Sequence, residues 1–228
     1  MQENIWENEY KDPRLVTLSD KPAKCVKDFT RFLRKNCKLT LSNLNILDLG
    51  CGNAKNSIYI YEEGFDNKIT GIDISETALK YAEINIKEKN INAKFIKQSI
   101  GLKFPFPDNS FDIILDVTSS NSLSEKERKV YLDETYRILK TGGYLFVRAL
   151  CKDGDANAQM LLKTNPGKEK DTYIMPELSL TERVFSKEDF LSTYSPFFKN
   201  LYLEKEIHYT KFNGRSYKRN FWVACFIK

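Results

Sequence analysis

The stretch NILDLGCGNAKNSIYI, residues 45–60, constrains this chain more than any other. An apolar run of strand length carries Asp48 near its end and breaks at once into Gly50-Cys51-Gly52, after which a helical pattern begins. A carboxylate in such a place costs free energy unless something pairs with it. Glycines at a strand-to-helix junction let the backbone approach a ligand closely, although a Gly-x-Gly pair also serves many ordinary turns. Two details narrow the ligand. Lys55 stands where the dinucleotide pattern has its third glycine, and Asp48 would repel a pyrophosphate at the helix N-terminus. Asp73 ends a second strand-like run, 21 residues after Gly52, where an acid accepts hydrogen bonds from ribose hydroxyls. A ligand with both a ribose and a cationic head satisfies Asp48 and Asp73 together.

The remaining elements supply a frame for that turn. Strands are expected over residues 45–49, 68–73, 93–98, 111–117 and 144–150. Between them lie helical patterns at 22–36, with Val26, Phe29 and Leu33 on one face, at 54–63, and after the N-cap Ser75. Ser124 and Glu127 form a capping box before a helix expected to end at Gly142. Strands alternating with helices imply a parallel sheet covered on both sides. Residues 152–183 carry few signals beyond a helix over 156–163, and a stretch of that length reads as a lid or binding insertion. A helix at 186–194 follows. Two long strands, LYLEKEIHY and RNFWVACFI, joined by a turn at Asn213–Gly214, then form an antiparallel pair at the sheet's edge. The whole reads as a single domain, 1–228, divided into an N-terminal lid and helix (1–44), a ligand-binding core (45–150), an insertion (151–185) and the C-terminal helix and strand pair (186–228).

Other features exclude whole classes. No run approaches the ~20 apolar residues that cross a bilayer, and the start, MQENIWENEYKDPR, is too polar for a signal peptide. The expected setting is cytoplasmic, without a membrane partner. The five cysteines form no Cys-x-x-Cys, so neither a disulfide framework nor a metal site is indicated. His208 is the only histidine, which removes most hydrolytic triads. The net charge of +5 gathers mainly in Lys21–Lys38 and beyond Lys211. Such clusters are solvated faces, or they meet an acidic small substrate or nucleic acid.

ILDLGCGNA with GIDIS resembles the first two motifs of class I S-adenosylmethionine-dependent methyltransferases. FPFPDNSFDIIL and YRILKTGGYLFV resemble two further blocks of the branch that includes many small-molecule methyltransferases, and the four blocks run in order through residues 45–150. The resemblance implies an α/β, Rossmann-like, doubly wound seven-stranded sheet of order 3-2-1-4-5-7-6 with strand 7 antiparallel. It implies S-adenosyl-L-methionine as cofactor and S-adenosyl-L-homocysteine as product. By the same resemblance Asp48, Gly50, Cys51 and Gly52 line the methionine part, Asp73 holds the ribose and Ile74 packs on the adenine. Gln98 replaces the family's usual acid after strand three. Either its amide oxygen accepts from the adenine, or Ser99 and Ile100 serve that end with backbone groups. The segment IWENEY resembles the aromatic N-terminal cover of thiopurine-type methyltransferases. Trp6 and Tyr10 then shield the sulfonium, or else staple the first helix to the sheet.

A sulfonium is a good leaving group, so methyl transfer needs alignment more than acid or base, and a chain with one histidine is equal to it. His208 reads as an ordinary strand residue. Asp116 ends the fourth strand, where it either steers the nucleophile as base or caps the following loop. The loop sequence DVTSS is not the Asp/Asn-Pro-Pro-aromatic pattern of enzymes that methylate exocyclic base amines. Arg148 lies in an otherwise apolar run and needs a partner: a substrate carboxylate or phosphate, or an internal acid such as Asp153 or Glu182. Glu182 and Arg183 stand in the insertion, where such families place substrate determinants. Lys218 and Arg219 read as surface charges. The expected activity is in-line methyl transfer to N, O or S of a small molecule, with an anionic one among the candidates. Methylation of RNA or protein is the alternative that the basic segments favour, and a cofactor-binding homologue without turnover is a third.

Overall fold

The computed structural model describes residues 2–16, 18–37, 39–64, 67–212 and 215–228. The apolar runs pair in parallel around β1 (Asn45–Leu49). It has β2 (Lys68–Asp73) on one side and β4 (Phe111–Val117) on the other. β3 (Ala93–Lys97) lies outside β2, and β5 (Leu139–Leu150) outside β4. β9 (Arg215–Ile227) runs antiparallel to β5, and β8 (Lys199–Phe212) antiparallel to β9. Among the described residues the sheet order is β3-β2-β1-β4-β5-β9-β8. That is the expected order 3-2-1-4-5-7-6 with its antiparallel strand. The last two numbers are higher because the insertion holds a hairpin of its own, β6 (Thr172–Met175) and β7 (Leu180–Arg183).

Ile46, Leu47 and Leu49 are fully buried, as a parallel strand covered on both faces requires. On one face α2 (Lys24–Asn36) and α3 (Lys55–Glu63) bring Val26, Phe29, Leu33 and Ile60 against Ile46, Ile113 and Phe146. Phe29 stacks on Phe146 with ring centroids 4.6 Å apart. On the other face α5 (Glu125–Ile138) and α7 (Lys187–Tyr194) bring Tyr131, Ile138, Phe190 and Tyr194 against Leu47, Ile114, Leu145 and Phe226. α4 (Glu76–Glu88) follows β2, with Ser75 accepting from the Ala78 N–H as its N-cap. A third cluster, with Leu150, Tyr173, Leu180 and Phe221, joins the insertion and its helix α6 (Ala156–Thr164) to the outer part of β9. Trp6 of the first helix, α1 (Glu3–Lys11), packs against that cluster.

Three boundaries differ from expectation. α5 stops at Ile138, because Leu139 is already extended and pairs with Phe111. Gly142, at φ +78°, therefore bends a strand rather than ending a helix. Its N–H bonds to the carbonyl of Lys228. Ala54 is left-handed at φ 63° and caps α3 instead of beginning it. The insertion's two strands are four residues each, too short to leave a periodic trace. The turn expected at Asn213–Gly214 lies outside the described residues. No helix among the described residues is long and apolar enough to cross a membrane.

Candidate active site

The C-terminal ends of β1, β2, β4 and β5 open onto one cavity of about 570 Å³, the place where such sheets bind ligands. Its floor is the glycine turn. The N–H groups of Gly50 and Cys51 donate to the Ile72 carbonyl at 2.7 and 3.0 Å. The Gly52 N–H donates to Asp73 Oδ2 at 2.8 Å, and the Ser75 N–H to Asp73 Oδ1 at 2.9 Å. Gly50 and Gly52 are left-handed, at φ +69° and +56°. A Cβ on Gly50 would collide with the Ser119 side chain, and one on Gly52 would sit 2.5 Å from the Tyr10 hydroxyl. The turn is thus packed from both sides, by the loop after β4 and by the N-terminal helix.

Two buried carboxylates flank the turn in different ways. Asp73 reaches the cavity wall; burial pushes its pKa up to about 6, against the pull of the backbone N–H groups it accepts from. Each of its oxygens takes one backbone hydrogen bond and keeps capacity for another donor. Asp48 is 1% exposed, accepts from Ser57 Oγ at 2.6 Å and is not on the wall. Burial raises it to about 7, and the charges of Asp73 and Asp116 add to that. Of the four residues expected along the methionine part, Gly50, Cys51 and Gly52 line the cavity, while Asp48 is buried against Ser57.

Ile74, Gln98, Ser99 and Ile100 line the far end of the cavity, as expected. Gln98 donates its amide nitrogen to the Lys103 carbonyl at 2.8 Å, which leaves the amide oxygen to accept. Tyr10 and Trp6 line it from above on α1. α1 is tied down by Glu7, which accepts from Ser75 Oγ at 2.8 Å, Thr77 Oγ1 at 2.7 Å and the Thr77 N–H at 3.2 Å. Gln2, just before the helix, bonds to the carbonyls of Ser122 and Thr181 and accepts from the Thr181 N–H. The segment thus lines the cavity and is stapled to the frame.

For Asp116 the sequence leaves two roles, steering the nucleophile or capping the following loop. Its Oδ1 accepts from the Ser119 N–H, Ser119 Oγ and the Ser120 N–H, and its Oδ2 from the Tyr131 hydroxyl at 2.8 Å. It is fully buried, and these bonds are those of the cap. Thr118 in that loop is left-handed at φ 67°, unusual for a β-branched residue and a mark of local strain.

The other end of the cavity is charged. Arg148 Nε donates to Glu206 Oε2 at 2.6 Å, and its guanidinium lies over the Phe221 ring, 3.4 Å from the centroid. Its partner is neither Asp153 nor Glu182. Glu182 accepts from the Tyr173 hydroxyl at 2.7 Å and from Arg219 at 2.9 Å. Arg219, read as a surface charge, is thus a half-buried wall residue, and His208 stands opposite it in the strand register. Arg183 is also corrected. It turns away from the cavity to Asp189 at 2.8 Å and the Phe185 ring. Period-two alternation does put Glu206 and His208 on one face of β8, but only pairing shows that Phe221 and Arg219 share it. Among the described residues no group of three His, Cys, Asp or Glu side chains could hold a metal ion.

A family model described as a methyltransferase domain matches residues 40–190. The chain belongs to the class I S-adenosylmethionine-dependent methyltransferases. The methyltransferase is similar to the demethylmenaquinone methyltransferase of Listeria welshimeri, 36% identical over 102 residues, 44% of this chain and 42% of that one. It therefore spans less than half the length of that relative. A S-adenosylmethionine-dependent methyltransferase of Methanosarcina mazei has the same fold at TM-score 0.72 and 21% identity, over 91% of this chain and 98% of that one. The 1,6-didemethyltoxoflavin-N1-methyltransferase of Burkholderia thailandensis, solved with 1,6-didemethyltoxoflavin and S-adenosylhomocysteine, superposes at TM-score 0.67 and 12% identity, over 99% and 87%. The residues here fit the cofactor. The glycine turn, Ile74 and Gln98 line one continuous wall, and Asp73 offers spare acceptor capacity there.

Proposed function

We propose that this methyltransferase transfers a methyl group from S-adenosylmethionine to a nitrogen, oxygen or sulfur atom of a small molecule. One observation carries the reading: a single roofed cavity joins the Asp73 and Gly52 end to the charged Arg148 and Arg219 end. That continuity supports a donor at one end and a compact acceptor at the other. The Burkholderia protein's bound pair supports the same division.

When bound, the cofactor supplies an electrophilic methyl group on a good leaving group. Asp73 accepts from the ribose hydroxyls, Ile74 packs on the base, and the Gln98 amide oxygen or the backbone at Ser99 and Ile100 meets its edge. Tyr10 and Trp6 exclude water from above, and Asp116 acts at a distance by fixing residues 118–120. Holding two reactants in line contributes on the order of 7–11 kcal/mol, which leaves little for acid–base chemistry to supply.

The test has two parts. S-adenosylhomocysteine at 100 times its Kd should stabilise the full chain by ~2.7 kcal/mol, seen as a rise in Tm. Labelled S-adenosylmethionine should then pass its methyl group to a low-mass fraction of a cell extract. Label in RNA or protein instead would move the reading to a macromolecular acceptor.

A further inference from the structure

Arg148 is bound in a manner unlike Arg219, the other guanidinium on the cavity wall. Arg219 serves a permanent structure: its partner Glu182 is buried and is also held by the Tyr173 hydroxyl at 2.7 Å. Arg148 has one hydrogen bond, from Nε to Glu206, and the Phe221 face beneath it. Among the described residues its two terminal nitrogens bond to nothing, although the side chain is only 12% exposed. A guanidinium carries five donors, so most of its capacity is unspent.

A second cation is near it. Lys55 stands on the same wall; burial lowers its pKa, and the charge of Arg148 lowers it further. Glu206, by contrast, sits on the outer strand β8 and is 25% exposed. Water reaches a carboxylate there, so it can leave its partner more readily than the buried Glu182 can. Glu206 occupies the place that an acceptor's anion would take.

We propose that Arg148 is the seat for a compact anionic group on the methyl acceptor, and that Glu206 is the internal counter-ion which that group displaces. The flat stacking on Phe221 keeps the guanidinium oriented while its partner changes. A planar carboxylate meets such a fork with two parallel hydrogen bonds, and a phosphate can do the same. The inference rests on the small-molecule reading above and gives it a substrate class: an acceptor bearing a carboxylate or phosphate, disfavoured when neutral or cationic.

The experiment is calorimetric titration of the full chain with benzoate, inorganic phosphate and the neutral benzamide at fixed ionic strength, with and without S-adenosylhomocysteine. Benzoate or phosphate should bind and benzamide should not. Arg148→Gln should abolish that binding and Arg148→Lys should weaken it. Glu206→Gln should tighten it about five- to tenfold, since the competing carboxylate is gone. Tm values of the variants establish that each is folded. Weaker anion binding in Glu206→Gln would make Glu206 a positioning residue and overturn the displacement. Anion binding unchanged in Arg148→Gln, or absent in the wild type, would overturn the seat. S-adenosylhomocysteine affinity should stay within twofold in all variants. Loss of that affinity in the wild type would count against the cofactor reading alone, because the anion titration is also read without it.

Discussion

Gly52 donates its backbone N–H to Asp73 Oδ2 at 2.8 Å, so the turn after β1 and the acid closing β2 are one unit. The carboxylate that is to hold a sugar also sets the shape of the turn. Asp73→Asn keeps one acceptor oxygen and removes the charge. It should weaken S-adenosylhomocysteine binding about 10- to 100-fold, since a hydrogen bond to a charged group is worth ~1.5–3 kcal/mol. Asp73→Ala should also lower Tm, because two backbone N–H groups lose their acceptor. Titration calorimetry and melting curves check both.

Gly52→Ala meets two obstacles: a left-handed backbone and the Tyr10 hydroxyl. The backbone alone costs ~1–2 kcal/mol for an L-residue. The variant should melt lower and bind cofactor poorly. Adding Tyr10→Phe removes the obstructing oxygen, so the double variant should recover part of the loss in Tm but not all of it. Equal Tm in single and double variants would show that the lid does not press on the turn.

The roof hangs on Glu7. Burial alone would raise its carboxyl, but hydrogen bonds from the Thr77 and Ser75 side chains and the Thr77 N–H outweigh it and bring the pKa to about 2. A depressed acid stabilises the fold above its unfolded value near 4.5, and that contribution is lost as pH falls toward 2. Glu7→Gln should therefore loosen α1 equally at pH 6 and pH 8. The difference from wild type should fade below pH 4.5. Hydrogen exchange of residues 3–11 reports it directly.

Asp48 has the opposite sign. Its pKa is about 7 in the fold and ordinary, near 3.8, in the unfolded chain. The unfolded state ionises first, so the stability of the ligand-free protein should decline as pH rises from about 4 to about 7. Asp73, at about 6, contributes in the same direction. Asp48→Asn removes one source of that slope. It should melt above wild type at pH 8 and alongside it at pH 4. A variant that melts lower at pH 8 would show that the ionised carboxylate is needed by the fold.

What the sequence by itself determined is the half of the site that is contiguous along the chain. A parallel sheet announces its strands as apolar runs, and the turn after β1 needs residues of left-handed freedom at fixed places, so NILDLGCGN and KITGID carry their own meaning. Gly50, Gly52, Asp73 and Ile74 all lie within or next to those runs, and Gln98 directly follows the third strand, so their position follows from the local backbone.

At the charged end of the cavity, the pairing of side chains was decided by tertiary structure. Arg148 and Glu206 are 58 residues apart, and Glu182 and Arg219 are 37 apart; each pair meets only because of how β5, β9, β8 and β7 come together. A charge in a strand has two faces to choose between, and its partner is fixed by cross-strand register, which no local pattern encodes. The same holds for Asp116: its strand end is legible, but three donors from the loop that turns back, with the Tyr131 hydroxyl of α5, consume the carboxylate. Burial and partner choice are properties of the packed molecule, since they depend on which distant groups arrive, and here they separate a wall residue from a buried cap.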